Sequence, residues 1–228
     1  MTVIVLLFRC MEIYHVLNRG VDKRDVVIDD SDRNRFVHSL FVLNDSNHLN
    51  ENHRKRNVVL SATERNPLVH IHAWCLMNNH YHLLLSPVND DLKNLSRFMK
   101  RLNMGYARYF NERHDRSGYL WQGKYKKILI ERDSQFLYIP YYVHLNPLDY
   151  AMKEWREGQL TDMDAVIKKL QDYRWSSYLD YSGIKNFPSV IEKNLLSGVL
   201  GDNGKQIIEI KNIVTRSEHS NGANQLEK

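Results

Sequence analysis

Two runs of strand composition, LVHIHAWCLM (68–77) and HYHLLLSP (80–87), are separated only by Asn78-Asn79, and that spacing leaves the chain few ways to fold. Asparagine tolerates the positive φ angles of a tight turn, so the two runs are expected to form an antiparallel hairpin. A two-residue turn pairs Met77 with His80 and Cys75 with His82. Side chains alternate along a strand, so His80 and His82 leave one face and Tyr81 the other. In the same register His70 and His72 turn to the face opposite His80 and His82.

The flanking segments extend this unit. EIYHVLNRG (12–20) has strand composition and ends at a glycine turn signal. SDRNRFVHSLFVLND (31–45) reads as a helix, with Ser31 as N-cap and Phe36, Val37, Leu40 and Phe41 at helical spacing. Residues 45–67 are polar and without period, and read as a loop or insertion. LKNLSRFMKRLNMGYARYFNERH (92–114) is the clearest helix. At about 100° per residue, Leu92, Leu95, Phe98, Met99, Leu102, Tyr106, Tyr109 and Phe110 share one face. Lys93, Arg97, Lys100, Arg101 and Arg108 share the other.

WQGKYKKILIE (121–131) reads as a loop entering a strand, with Ile128 and Ile130 on one side. SQFLYIPYYVHLN (134–146) reads as a helix capped by Asp133 or Ser134 and stopped by Pro147; Pro140 either kinks it or marks its true start. TDMDAVIKKLQDY and SVIEKNLLSGVL are short amphipathic helices, and 215–228 is polar with the composition of a disordered tail. Strand, helix, hairpin, helix, strand, helix predicts an α+β fold: an antiparallel sheet with helices on one face. The division expected is a domain at 11–150, a helical extension at 151–200 and a polar, partly disordered tail at 201–228.

The net charge of +5 is unevenly placed. Residues 93–132 hold eleven Lys and Arg against three acids, a local +8, which leaves the rest of the chain slightly acidic. A concentrated basic stripe is the electrostatic footprint of a polyanion partner, whereas a merely solvated face mixes both signs. Cys10 and Cys75 cannot build a disulfide framework and sit in no metal-type pair, which fits a reducing cytoplasm. The apolar run VIVLLF is six residues, far short of the roughly 20 that span a bilayer, and it lacks the flanks of a signal peptide. It reads as a buried edge strand, or as residues ahead of a start at Met11, with no membrane partner.

Two strand imidazoles two residues apart lie about 7 Å apart at the backbone and can converge on one divalent cation, but they cannot complete its shell. Cys75, beside His82, is a conceivable sulfur ligand, although a small buried core residue is the commoner role. On the helix at 134–146, Tyr142 and Asn146 stand one turn apart on one face, while His144 points about 200° away. A phenol and an amide oxygen side by side can act as nucleophile and third ligand; Tyr138, one turn earlier, is a rival nucleophile.

Taken in order, MNNHYHLLL, the basic helix, WQGKYKKILIE, YIPYYVHLNPL and YRWSSY (173–178) resemble the single-tyrosine transposases of the HUH nuclease superfamily, and more closely their REP-associated branch. The resemblance spans Met11 to Tyr181. It implies a ferredoxin-like, RRM-like sheet with His80 and His82 as the metal pair, Tyr81 standing where a bulky hydrophobe is usual. It implies Tyr142 as nucleophile and Asn146 as the residue completing a Mg2+ or Mn2+ site, where many relatives carry Gln. The implied chemistry is cleavage and rejoining of single-stranded, hairpin-associated DNA through a 5′-phosphotyrosine, by a monomer or a homodimer. Lys93, Arg97, Lys100, Arg101 and Arg108, with Lys124, Lys126 and Lys127, would then hold phosphates. The rival readings are a catalytically silent RRM-like nucleic-acid-binding protein, a hydrolase using water on the same histidines, and a nickase for replication initiation.

Overall fold

The computed structural model describes residues 11–47 and 65–216. The VIVLLF run, most of the 45–67 stretch and the end of the tail lie outside the described residues. Four strands form one antiparallel sheet: β1 (Tyr14–Arg19), β2 (Val69–Leu76), β3 (His80–Pro87) and β4 (Lys126–Leu129), in the order β2-β3-β1-β4. Helices α1 (Asp30–Val42), α2 (Leu92–Arg113) and α3 (Asp133–Leu145) alternate with them in the order expected from sequence.

The hairpin register is the one read from the sequence: Cys75 pairs with His82, and Met77 N donates to His80 O. The turn reaches it differently, because neither Asn78 nor Asn79 has positive φ. The asparagines serve as hydrogen-bonding posts instead. Asn78 O accepts from Val26 N and Val27 N, and Arg33 donates to Asn78 Oδ1 at 2.8 Å. Farther along β2 the pairing slips between Ile71 and Ala73, a one-residue bulge. A slip of one residue reverses every side chain beyond it. His70 consequently pairs with Ser86, and His72 bonds the Ser86 hydroxyl at 2.8 Å. Both lie on the face of His80 and His82, not on the opposite one.

Each sheet face carries its own apolar layer. Tyr14, Val16, Tyr81, Leu83 and Leu85 pack with Phe36 and Leu40 of α1 and Leu95, Phe98, Met99, Leu102, Tyr106 and Phe110 of α2. Burying each of these leucine and phenylalanine side chains contributes about 1.5–3 kcal/mol. The hydroxyl of Tyr81 is satisfied by Asn103 Oδ1 at 2.8 Å, so a polar-tipped ring is accommodated in this layer.

The other face was expected bare, and it is covered. Leu84, Ala73, Cys75 and Met77 pack there against Phe136, Ile139, Tyr142, Val143 and Leu145 of α3. Four further helices complete that layer: α4 (Met163–Asp172), α5 (Tyr178–Tyr181), α6 (Asn194–Leu200) and α7 (Asn203–Thr215). Their Leu170, Leu179, Leu196, Leu200, Ile210 and Val214 join the same cluster as Tyr142. The stretch from 201 thus begins with a packed helix rather than a tail. The helical spacing of its buried Gln206, Ile210, Ile213 and Val214 is present in the sequence, but a polar residue in the buried stripe and the exposed Ile208 blur it. YRWSSY covers the outer edge of β2: Leu76 N donates to Trp175 O and Ser177 N to Trp74 O. A covered edge offers no backbone for stray strand pairing.

Two caps differ from expectation. Asp29 rather than Ser31 caps α1, accepting from Ser31 N and Asp32 N. Arg132, ahead of Asp133 and Ser134, is the N-cap of α3, and its N–H reaches Gln135 Oε1 at 3.2 Å. Pro140 lies inside α3, which runs on through it. An interior proline costs about 3 kcal/mol, and the apolar side chains that α3 buries on both sides of it offset that cost.

Candidate active site

β3 presents His80 and His82 toward α3, and α3 presents Tyr142 back toward them. The His82 and Tyr142 rings meet edge to face with centroids 5.6 Å apart, and His80 and His82 meet at 4.9 Å. Tyr142 is fully buried and His82 almost so. His144 points away, bonding Ser177 Oγ at 2.8 Å, and burial pushes its pKa down to about 3. Cys75 is a packed core thiol, its pKa raised by burial and beside Met77 Sδ at 3.7 Å. The Tyr138 ring lies tilted beside Tyr142 at 6.3 Å and is less buried; burial raises its phenol to about 12.

Two residues that the sequence did not single out complete the cluster. His15 of β1 stacks on His82 at 5.1 Å, and its Nε2 lies 2.9 Å from His82 Nδ1. The second is Arg156, beyond α3, whose guanidinium sits 5.4 Å from the centre of the Tyr142 ring. Burial alone would discourage its charge, but the Asp149 carboxylate and the Tyr142 hydroxyl raise its pKa above the ordinary value. Asp149 takes two of its bonds, at 2.9 and 2.6 Å. No local pattern marks Arg156; only the return of the chain past α3 brings it to the tyrosine.

His82 Nε2 is buried with no hydrogen-bond partner among the described residues. A buried ring nitrogen left in that condition costs about 1–3 kcal/mol unless something binds it. Burial, then the charges of His80, His15, Arg156 and Arg19, hold the His82 pKa well below normal, so the ring stays neutral as a metal ligand must. His80 Nδ1 lies 2.6 Å from Asn79 Oδ1, the outer partner that commonly orients a ligating imidazole. The donor chemistry therefore fits a divalent cation. Asn146 is buried at the end of α3, its Nδ2 donating to Tyr142 O at 2.7 Å while Arg156 approaches its Oδ1 at 3.4 Å. Among the described residues no group of three or more His, Cys, Asp and Glu is gathered for a metal.

The basic residues divide between two places. Lys93, Arg97, Lys100 and Arg108 are exposed on the outer side of α2, the far side of the sheet from Tyr142. Arg101, partly buried there, donates to Asp45 O at 2.7 Å, and Arg108 pairs with Glu112 at 2.7 Å. Lys124, Lys126 and Lys127 are exposed on and before β4. Lys126 is the closest of them in register, paired with Leu17, which in turn pairs with His82.

The four-stranded antiparallel sheet thus carries a histidine pair on the face where the packed helix brings a tyrosine to it. Residues 14–146, more than half of the chain, match the family model described as "Transposase IS200 like". The chain belongs to the IS200-like transposase family, whose members are DNA-cleaving enzymes. No curated protein matches it. A solved structure described as a REP-associated tyrosine transposase bound to a REP hairpin aligns over 81% of this chain and 87% of that one. Its identity is 12% and its TM-score 0.44. Among the described residues no helix is long and apolar enough to cross a membrane.

Proposed function

We propose that this transposase cleaves and rejoins single-stranded DNA beside a hairpin, with Tyr142 as the nucleophile. The observation that carries the reading is the meeting of the Tyr142 ring with His82 at 5.6 Å, where His82 Nε2 lacks a partner among the described residues. His80, His82 and Asn146 would hold Mg2+ or Mn2+, which supplies a Lewis acid at the scissile phosphate. The Tyr142 oxygen attacks phosphorus as the bond to the 3′-oxygen breaks. The phenol proton is lost and the departing oxygen takes one up. A 5′-phosphotyrosine and a free 3′-hydroxyl result, and a second 3′-hydroxyl reverses the step onto a new strand. An unperturbed phenol ionises near pH 10; Arg156, hydrogen-bonded to Tyr142, favours the phenolate that attack requires.

Lys124, Lys126 and Lys127 would hold phosphates of the strand near the site, and Lys93, Arg97, Lys100, Arg101 and Arg108 those of the paired stem. YRWSSY supports placement in the REP-associated branch. Tyr142 reaches the histidines of its own chain, which supports action as a monomer over a homodimer that exchanges tyrosine helices. The test is a denaturing gel after incubation with labelled hairpin DNA bearing single-stranded flanks and Mn2+. A covalent adduct is expected from the native chain and none from Tyr142→Phe. Cleaved DNA with no protein attached would replace this reading with hydrolysis by water. Binding without cleavage across varied hairpins would replace it with a silent binding protein.

A further inference from the structure

We propose that a cavity at the end of β1 receives the single nucleotide flanking the scissile phosphate and reads its base through Gln122. The inference rests on the single-strand cleavage proposed above. The cavity holds about 280 Å3 and is bounded by Leu17, Asn18 and Arg19 of β1, Lys126 of β4 and the 122–124 loop. Arg19 is paired directly with His80, and Leu17 with His82. Paired residues on neighbouring strands share a face at about 5 Å between Cα atoms, so the cavity adjoins the histidine pair one strand over.

Its lining states the ligand class. Arg19, Lys124 and Lys126 bring three cations to the lining, which suits phosphate. Leu17 provides an apolar floor, and two amides supply the donors and acceptors that a base edge needs. Asn18 is already committed: its Nδ2 donates to Gly123 O at 3.3 Å and its Oδ1 accepts from Arg19 N at 2.9 Å. It braces the loop, which leaves the exposed Gln122 to face the base. The loop is fixed from two further sides. Gln122 N donates to Arg19 O at 2.9 Å, and Trp121 Nε1 donates to Asn103 O at 3.0 Å. Small-ligand pockets start at about 300 Å3. A cavity of this size takes one nucleotide and excludes a duplex.

Gly123 gives a clean blocking variant, because a Cβ there meets nothing within 4 Å and its backbone suits any L-residue. Binding rather than cleavage is read, using Tyr142→Phe protein and fluorescently labelled dA8, dC8, dG8 and dT8. The four are expected to bind unequally. Gln122→Ala should level the preference, a change of about 10-fold for the favoured base. Gly123→Leu should weaken all four about 10-fold while the melting temperature stays put. Equal binding of the four oligonucleotides, or native affinities in both variants, overturns the proposal. The outcome is separable from that of the tyrosine chemistry: selective binding without a covalent adduct sinks the latter alone, and an adduct with unaltered binding sinks the cavity alone.

Discussion

His15 governs how His82 can be used. A cation on His82 Nε2 requires the ring proton on Nδ1, and that nitrogen lies 2.9 Å from His15 Nε2. His15→Phe keeps the stacked ring and removes the acceptor. Calorimetry should then show Mn2+ affinity reduced about 10-fold or more, the usual cost of losing an outer partner. Unchanged affinity would remove His15 from the site. Its position was visible in the sequence, but its partnership was not: the facing of β1 residues depends on a cross-strand register that no short turn fixes. His82 and Tyr142 were legible because each follows from a local period, two on the strand and one turn on the helix. Arg156 and Asp149 carried no such period.

At the scale of elements, one buried carboxylate joins the ends of two helices. Asp32, near the start of α1, receives Ile28 N at 2.9 Å, His114 Nε2 at 2.9 Å and the Arg113 guanidinium at the end of α2. Burial alone would raise its pKa, yet these bonds together hold it below the usual carboxylate value; Asp29, which also grips Arg113, is lowered as well. Depressed folded values mean that the stabilisation is full above the unfolded carboxylate pKa and disappears as pH falls through the folded ones. Asp32→Asn should therefore cost about 3 kcal/mol in urea melts at pH 7, as breaking a buried pair does. The penalty should shrink in acid below about pH 4, where the unfolded-state carboxylate begins to protonate while the folded one, held lower, is still ionised; a penalty that is constant with pH would contradict this. The apolar face of α2 could be read from the sequence because 22 residues repeat the helical period. The β2 bulge could not: Ile71, His72 and Ala73 carry no glycine or proline to announce it.

Taken whole, the molecule is one sheet with a layer on each side, and residues beyond 150 share the layer that holds the tyrosine. Trp155 is buried beside Tyr142, ring centroids 6.3 Å apart, and bonds Asp149 at 2.7 Å. Trp155→Ala should cost about 3–5 kcal/mol by chemical denaturation, and a negligible loss would show that the 11–150 segment stands by itself. The sequence suggested a boundary there because the strand-and-helix alternation ends, but an end of alternation is not an end of packing. The two-sided arrangement also puts the arginine-rich flank of α2 and the tyrosine on opposite sides of a wall. A nucleic acid gripped on both must turn a corner at the rim. Straight duplex, stiff over roughly 150 base pairs, resists that turn, whereas a stem running into an unpaired flank arrives with a joint already in place.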